Sequence, residues 1–306
     1  MAKRMLNMSS SELTNLSKKE LLAAMAENEG RTLISETIGA VQPLLTDVTN
    51  AEFAASMGAD MILLNMFDVR EPRINALPPV KKEDTVREVK RLTGRAVGIN
   101  LEPVENMEKP ADELWQMSGG RRATVENAAL AHQMGVDMIV LTGNPGNGVS
   151  NRAITDSLKA ISRTLGDQIV LAAGKMHASG VVGEAGEKII TREDIRQFAE
   201  AGADIILMPA PGTVPGITTE YIRGLVSYAH SLGKLTITSI GTSQEGADTD
   251  TIRRIAIECK MTGTDIHHIG DSGYVGMALP ENIMAYSVAI RGVRHTYHRM
   301  AQSIRR

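Results

Sequence analysis

Four stretches decide how this chain folds: Gly58-Ala59-Asp60-Met61-Ile62-Leu63-Leu64, Gly135-Val136-Asp137-Met138-Ile139-Val140-Leu141, Gly202-Ala203-Asp204-Ile205-Ile206-Leu207-Met208 and Gly263-Thr264-Asp265-Ile266-His267-His268-Ile269. Each is a small-residue turn, an aspartate and a mostly apolar run, and the aspartates lie 77, 67 and 61 positions apart. Self-similarity at such intervals marks a repeated supersecondary unit. A second series runs between them. There a glycine and one or two polar residues precede a strand: Gly30 before 33–36, Gly94 before 96–100, Gly166 before 169–172 and Gly233 before 235–238. Eight short strands result, each behind a glycine placed to end a helix. Apolar residues at three- and four-residue spacing predict helices at 48–57, 84–92, 125–134, 154–165, 192–201, 220–232, 252–261 and 281–300.

Strand and helix therefore alternate eight times, which predicts an α/β fold with a parallel sheet closed into a single (β/α)8 barrel over residues 31–306. A doubly wound open sheet is the competitor, but it needs neither a count of eight nor a two-unit repeat run four times. Residues 1–30 form an N-terminal helical extension. In it Ser17-Lys18-Lys19-Glu20 reads as a capping box opening a short helix to Asn28, a plug for the bottom of the barrel.

With 306 residues, 42% hydrophobic and 23% charged, the chain can build a sizeable core and is not globally disordered. Its 33 basic and 36 acidic residues leave a net charge of -3, so neither nucleic acid nor membrane is an expected partner. The single cysteine, Cys259, excludes an internal disulfide framework and a four-cysteine zinc site. The first residues lack the apolar run of a signal peptide, and no stretch approaches the ~20 apolar residues of a membrane span, so a cytoplasmic location is expected. Arg291, Arg294, Arg299, Arg305 and Arg306 suit the end of the last helix as a solvated or subunit-contact face, and a homo-oligomer is expected.

The chemistry of such a barrel sits at the C-terminal ends of its strands. Strand parity turns Ile34, Glu36 and Ile38 inward on the first strand, Ala96, Gly98, Asn100 and Glu102 on the third, and Ile237, Ser239 and Gly241 on the seventh. A carboxylate inside an apolar barrel is costly unless it is paired, hydrogen-bonded or metal-bound, so Glu36 and Glu102 read either as catalytic groups or as a buried ion-pair cluster. Other strand ends supply Asn65, Asp68, Thr142, Asn144, Lys175 and His177. Lys175 suits a Schiff base, acid–base work or an anionic substrate if its strand stops at Gly174, and His177 suits proton transfer. One of His267 and His268 must face inward and the other the helices, both read as structural.

The turns Gly241-Thr242-Ser243 and Gly270-Asp271-Ser272-Gly273 follow the seventh and eighth strands, where barrels present backbone N–H groups to phosphate. Gly241, Thr242, Ser243, Gly270, Ser272 and Gly273 are the expected anion site; Asp271 departs from it, since a carboxylate repels phosphate. Long loops at 69–82, 103–123 and 178–190 are expected lids, carrying Arg70, Arg73, Trp115, Arg121, Arg122, Glu184 and Glu187. No G-x-G-x-x-G follows a strand, and no H-E-x-x-H or P-loop is present.

These turns and the Gly-x-Asp strand openings resemble the phosphate-binding (β/α)8 barrels, the group that includes the tryptophan- and histidine-biosynthesis barrels. The likeness covers the chain from Arg31 onward. Within the group the chain looks most like the BtpA-like barrels, whose name comes from a photosystem biogenesis role. By fold it also looks like carbon–carbon lyases and phosphoenolpyruvate-related mutases, although their metal-binding aspartate pattern is not visible. The resulting expectation is a lyase of aldolase type, or an isomerase, acting on a small phosphorylated carbon compound. Glu36 or Glu102 would be the base, Lys175 the imine former or enolate-stabilising cation, His177 a proton carrier, and Asn100 and Asn144 orienting donors. No cofactor is required. A Mg²⁺-assisted lyase, mutase or hydrolase holding its metal on Glu36, Glu102 and Asp68 is the alternative, and a non-catalytic metabolite-binding or assembly protein is another.

Overall fold

Eight strands close on themselves in sequence order: β1 Thr32–Ile38, β2 Met61–Asn65, β3 Ala96–Leu101, β4 Met138–Leu141, β5 Val170–Gly174, β6 Ile205–Pro209, β7 Leu235–Ile240 and β8 Ile266–Ile269. Every pairing is parallel, and β8 returns to β1 with Ile34 opposite His268. The computed structural model describes residues 2–104, 117–143, 149–178, 183 and 185–306. Helices α1 Ser10–Leu13 and α2 Lys18–Ala26 precede the barrel. Around it lie α3 Asn50–Ser56, α4 Thr85–Thr93, α5 Val125–Gln133, α6 Asn151–Leu165, α7 Arg192–Ala201, α8 Thr219–Ser231, α9 Thr249–Met261 and α10 Pro280–Ala301. The predicted single (β/α)8 barrel is the observed fold. Among the described residues no helix is long and apolar enough to cross a membrane.

The alternation of side chains along each strand sorts the core into two shells. Val97, Ile99 and Leu101 join the outer shell, between sheet and helices. Ile34, Ala96, Val170, Ala172, Ile237 and Ile266 join the inner one. The inner shell also contains Met5, Met8, Leu13, Leu21, Ala24 and Met25, so the N-terminal segment packs into the barrel's interior. Each such buried Leu or Met contributes roughly 1.5–3 kcal/mol relative to exposure.

The fourfold Gly-x-Asp repeat has one mechanical role. Asp60, Asp137, Asp204 and Asp265 stand just before β2, β4, β6 and β8. Their carboxylates accept the N–H groups of Leu33, Val97, Leu171 and Thr236 on the preceding odd strand, at 2.8–2.9 Å. Each aspartate thus ties a strand pair at the bottom of the barrel, and each has a basic partner: Arg291 and Arg299 for Asp60, Lys90 for Asp137, Lys18 for Asp204 and His230 for Asp265. Gly94 ends α4 at φ 64°, the left-handed conformation its position requires. Gly166 differs, keeping a helical φ of -58° at the end of α6, where a Cβ would lie 2.4 Å from Ser162 O.

Two arginines of α10 do not take the expected solvated face. The helix breaks at Gly292, φ 78°, and Arg291 and Arg299 both turn into the interior onto Asp60. Arg299 also donates to the carbonyls of Met5 and Met8, joining the N-terminal plug to the last helix. Burial opposes the charge on Asp60, but Arg291, Arg299 and the Leu33 N–H overcome it and hold its carboxyl below the ordinary value.

Candidate active site

The C-terminal mouth of the barrel holds a cavity of about 260 Å³. Strand parity builds its floor. Glu36 and Ile38 come from β1, Asn65 from β2, Asn100 and Glu102 from β3 and the turn it enters; Thr142 and Gly143 follow β4, Met176 and His177 follow β5, and Gly241, Glu245, Asp271 and Ser272 follow β7 and β8. Arg121 enters from the loop before α5.

One hydrogen-bonded chain crosses the mouth. Asn100 Nδ2 donates to Glu36 Oε1 at 2.5 Å and to Asn65 Oδ1 at 3.1 Å, and Asn65 Nδ2 donates to Asp271 Oδ2 at 2.8 Å. Met66, at φ 53°, also donates its N–H to Asn65 Oδ1, which fixes the amide's orientation and aims its NH2 at Asp271. A second chain lies beneath. Ser239 Oγ and His268 Nδ1 are 2.6 Å apart, and His268 Nε2 lies 3.4 Å from Glu36 Oε2. All three of these side chains are buried.

The carboxyl groups repel one another here. Burial, together with the charges of Glu36 and Glu245, pushes Asp271 up to about 7 despite the Asn65 bond. Burial likewise raises Glu245. His177 is pushed down by burial and by Lys175, with Glu36 partly restoring it. Glu102 stands apart, bound through Oε1 by the Arg121 guanidinium, with Arg121 Nε at 3.1 Å.

The turns after β7 and β8 meet in an unexpected way. A short 3-10 turn, Gln244–Gly246, follows Ser243 at φ 74° and buries the Glu245 side chain completely. Glu245 Oε1 accepts the Ser272 N–H at 3.1 Å. A Cβ on Gly270 would lie 2.6 Å from the same oxygen, so only glycine leaves room for this carboxylate. Asn282 Nδ2 holds the loop by donating to Glu245 O at 2.9 Å and Ala247 O at 2.7 Å. At the next helix start, Asp248 accepts the N–H groups of Asp250 and Thr251.

Of the residues expected in the site, Glu36, Asn100, Glu102, His177, Gly241 and Ser272 line the cavity. Lys175 is buried at 2% exposure and is not part of the cavity wall, to which Met176 and His177 contribute instead. Asp68 lies outside the cavity, accepting the N–H groups of Arg70 and Glu71 in a turn after β2. Thr242, Ser243, Gly270 and Gly273 shape the two turns without lining the cavity; Gly273 packs against Ala278 and Leu279. Asn144 lies outside the described residues, as do Trp115 and Glu184.

Glu245 and the reach of Arg121 have no signal in the sequence, and His268 is read there only as a structural histidine. His267 faces the helices, bonded to Tyr286 and to Gly30 O and pushed down to about 4 by burial. His268 therefore takes the inward place, a position parity already offered. Glu245 lies in an aperiodic turn and carried no such signal.

Residues 6–306 match the family described as "Domain of unknown function (DUF7916)". The chain belongs to that family. No curated protein matches it in sequence. Among solved structures, the chain is similar to a Schiff-base-forming fructose-1,6-bisphosphate aldolase. The TM-score is 0.55 at 13% identity, over 89% of this chain and 99% of that one. It is also similar to Rhizobium etli pyruvate carboxylase, with TM-score 0.53 at 13% identity, over 95% of this chain and 29% of that one. A barrel from Burkholderia cenocepacia J2315 assigned to the lyase/mutase class gives TM-score 0.50 at 15% identity, over 85% of this chain and 82% of that one. At these identities the likeness is one of fold.

Proposed function

We propose that this barrel is an enzyme of lyase or isomerase type that moves a proton beside a carbonyl of a small polar substrate, with Asp271 as the proton carrier. The observation that carries the reading is a buried carboxyl on the cavity wall, held by Asn65 and pushed up to about 7. A group of that pKa is populated in both forms at neutral pH, which suits general acid–base work. Burial and, after it, the charge of Glu36 keep the proton on Asp271, and Asn65 and Asn100 orient both carboxyls. An enolate formed next to it needs donors, and Arg121, His177 and Thr142 are the cavity's candidates.

The aldolase neighbour's imine chemistry would fall to Lys175 here. Its absence from the cavity wall favours carboxyl chemistry over an imine. A phosphorylated substrate is also less favoured, because Glu245 and Asp248 already accept backbone N–H groups of the turns that would receive phosphate. The Mg²⁺ alternative does not fit these side chains. Asp68 belongs to its own turn, Glu102 pairs with Arg121, and among the described residues no three His, Cys, Asp or Glu side chains form a metal-binding group. The BtpA-like resemblance adds no residue role to this reading.

The test is C–H exchange in D₂O, followed by NMR, with a panel of small oxo, hydroxy and amino acids and their phosphorylated counterparts. At least one compound should exchange, and Asp271→Asn should slow it by roughly 10²–10⁴. No exchange across the panel, or exchange unaffected by Asp271→Asn, overturns the reading.

A further inference from the structure

Among the described residues, carboxyls outnumber cationic side chains on the cavity wall. Glu36, Glu102, Glu245 and Asp271 all line it. Arg121 is committed to Glu102. Among the described residues the remaining three carboxyls are held by amide and backbone donors, Asn100 to Glu36, Asn65 to Asp271 and the Ser272 N–H to Glu245, with the His268 imidazole 3.4 Å from Glu36 Oε2.

Two acceptor atoms of residues that line the cavity are left over. Asn100 Oδ1 and Glu245 Oε2 are both buried without a hydrogen-bond partner, on side chains 5% and 0% exposed. Asn100 cannot relieve this by flipping its amide, because its NH2 is already engaged by Glu36 and by Asn65 Oδ1. A buried acceptor left without a donor is costly, and it is a place where a bound molecule supplies the missing group.

From this geometry we infer that the subsite bounded by Glu36, Asn100, Asp271 and Glu245 receives the ammonium group of a small amine. An ammonium brings three donors and one positive charge. It offers donors to the orphaned acceptors and positive charge to the carboxyls, whereas a hydroxyl supplies a donor without the charge. Phosphate would add like charge to the wall. A chelated divalent ion is disfavoured by the lack of a metal-binding group among the described residues. This inference rests on the acid–base reading above and narrows its substrate to an amino-bearing compound.

Linkage makes the inference measurable. Several titratable or charged groups face the subsite: Glu36 from β1, His177 after β5, Glu245 after β7, and His268 and Asp271 from β8 and its end; the Glu102–Arg121 pair completes the wall, and Lys175 acts on His177. A cation arriving among the carboxyls favours their ionised forms, so binding near pH 7 releases protons.

The experiment is calorimetric titration of the whole protein at pH 7 in two buffers of different ionisation enthalpy. The probes are ethanolamine, its uncharged isostere ethylene glycol, Mg²⁺ and inorganic phosphate. Ethanolamine should bind with proton release. Glu245→Gln should weaken it by roughly tenfold or more, the loss expected of one charge-assisted hydrogen bond. Should Glu245→Gln fail to fold, Asp271→Asn should bind ethanolamine with less proton release. The inference is overturned if ethanolamine does not bind, if ethylene glycol, Mg²⁺ or phosphate binds as well, or if no proton is released. Failure here with C–H exchange intact removes the amine and leaves the acid–base reading standing. Loss of exchange across the panel removes the reading itself.

Discussion

The Ser272 N–H donates to Glu245 Oε1 at 3.1 Å, so the turn after β8 is closed by a carboxylate from the turn after β7. The chain thus supplies its own anion where a barrel of this kind commonly receives one from solution. Glu245→Ala should open that position. Inorganic phosphate should then raise the melting temperature of the variant and leave that of the parent protein unchanged. A site held at a hundred times its Kd gives about 2.7 kcal/mol of stabilisation. An equal rise in both proteins would show that Glu245 does not stand in the way.

Gly270 sets the room for this carboxylate. A Cβ there meets Glu245 Oε1 and Ile240 O, both at 2.6 Å, and the second is backbone that cannot swing aside. Gly270→Ala should therefore destabilise the barrel by about 1–3 kcal/mol, measured by urea unfolding. The combined variant Gly270→Ala with Glu245→Ala should recover part of that loss, but not the part owed to Ile240 O.

The repeat that betrays the fold also ranks its four aspartates by stability. Asp60 is wholly buried and holds Arg291 and Arg299, whereas Asp265 pairs with His230, which is 40% exposed. Asp60→Asn strands two buried guanidinium groups and should cost about 3–5 kcal/mol or prevent folding. Asp265→Asn should cost about 1 kcal/mol, because the amide oxygen still accepts the Thr236 N–H and the lost pair is open to solvent. Equal losses at the two positions would contradict this ranking.

The fold could be read from sequence because its signals are local and repeated. Period-two alternation at 96–102 separates Val97, Ile99 and Leu101 from Asn100 and Glu102 without any knowledge of neighbours. The mechanical role of Asp60 and its three counterparts needs the strand register, which the sequence does not display. Arg291 and Arg299 look like solvated charges until a break at Gly292 turns them inward. Half the site follows from parity. The other half depends on loops: Arg121 reaches Glu102 across nineteen positions, and Glu245 enters from an aperiodic turn. Such contacts arise from tertiary packing, which no spacing rule encodes.

Asp271 should leave a mark on the pH dependence of stability. Its folded pKa of about 7 stands above the ordinary carboxylate value. Between about pH 4 and pH 7 the folded protein therefore holds a proton that the unfolded chain has released, and stability falls as pH rises through that window. The loss from this group approaches roughly 4 kcal/mol and levels off above pH 7. Asp271→Asn carries no such proton. The difference in unfolding free energy between variant and parent should thus change across the window and stay flat above it. A difference constant from pH 4 to 8 would contradict the elevated pKa.

Glu36 and Glu102, the two inward carboxylates expected from parity, should behave differently. Glu102 is bound by Arg121, so Glu102→Gln removes one half of a buried ion pair and should cost about 3 kcal/mol or more. Glu36 has no such cation on its Oε1, which accepts from Asn100 and which the carbonyl of glutamine can replace. Glu36→Gln should then fold with little loss. Its effect should fall on Asp271, because the charge of Glu36 is, after burial, the largest influence raising that carboxyl. Removing it lowers the Asp271 pKa, and the window in which stability falls with pH should shrink from its upper edge. Exchange chemistry should drop with it, by roughly 10²–10⁴ if Glu36 also takes part in proton transfer. Calorimetric melting of both variants from pH 4 to 8 separates the cases. A Glu36→Gln variant whose pH window stays where the parent's lies would show that the two carboxyls are not coupled, and the acid–base pair would lose its electrostatic basis.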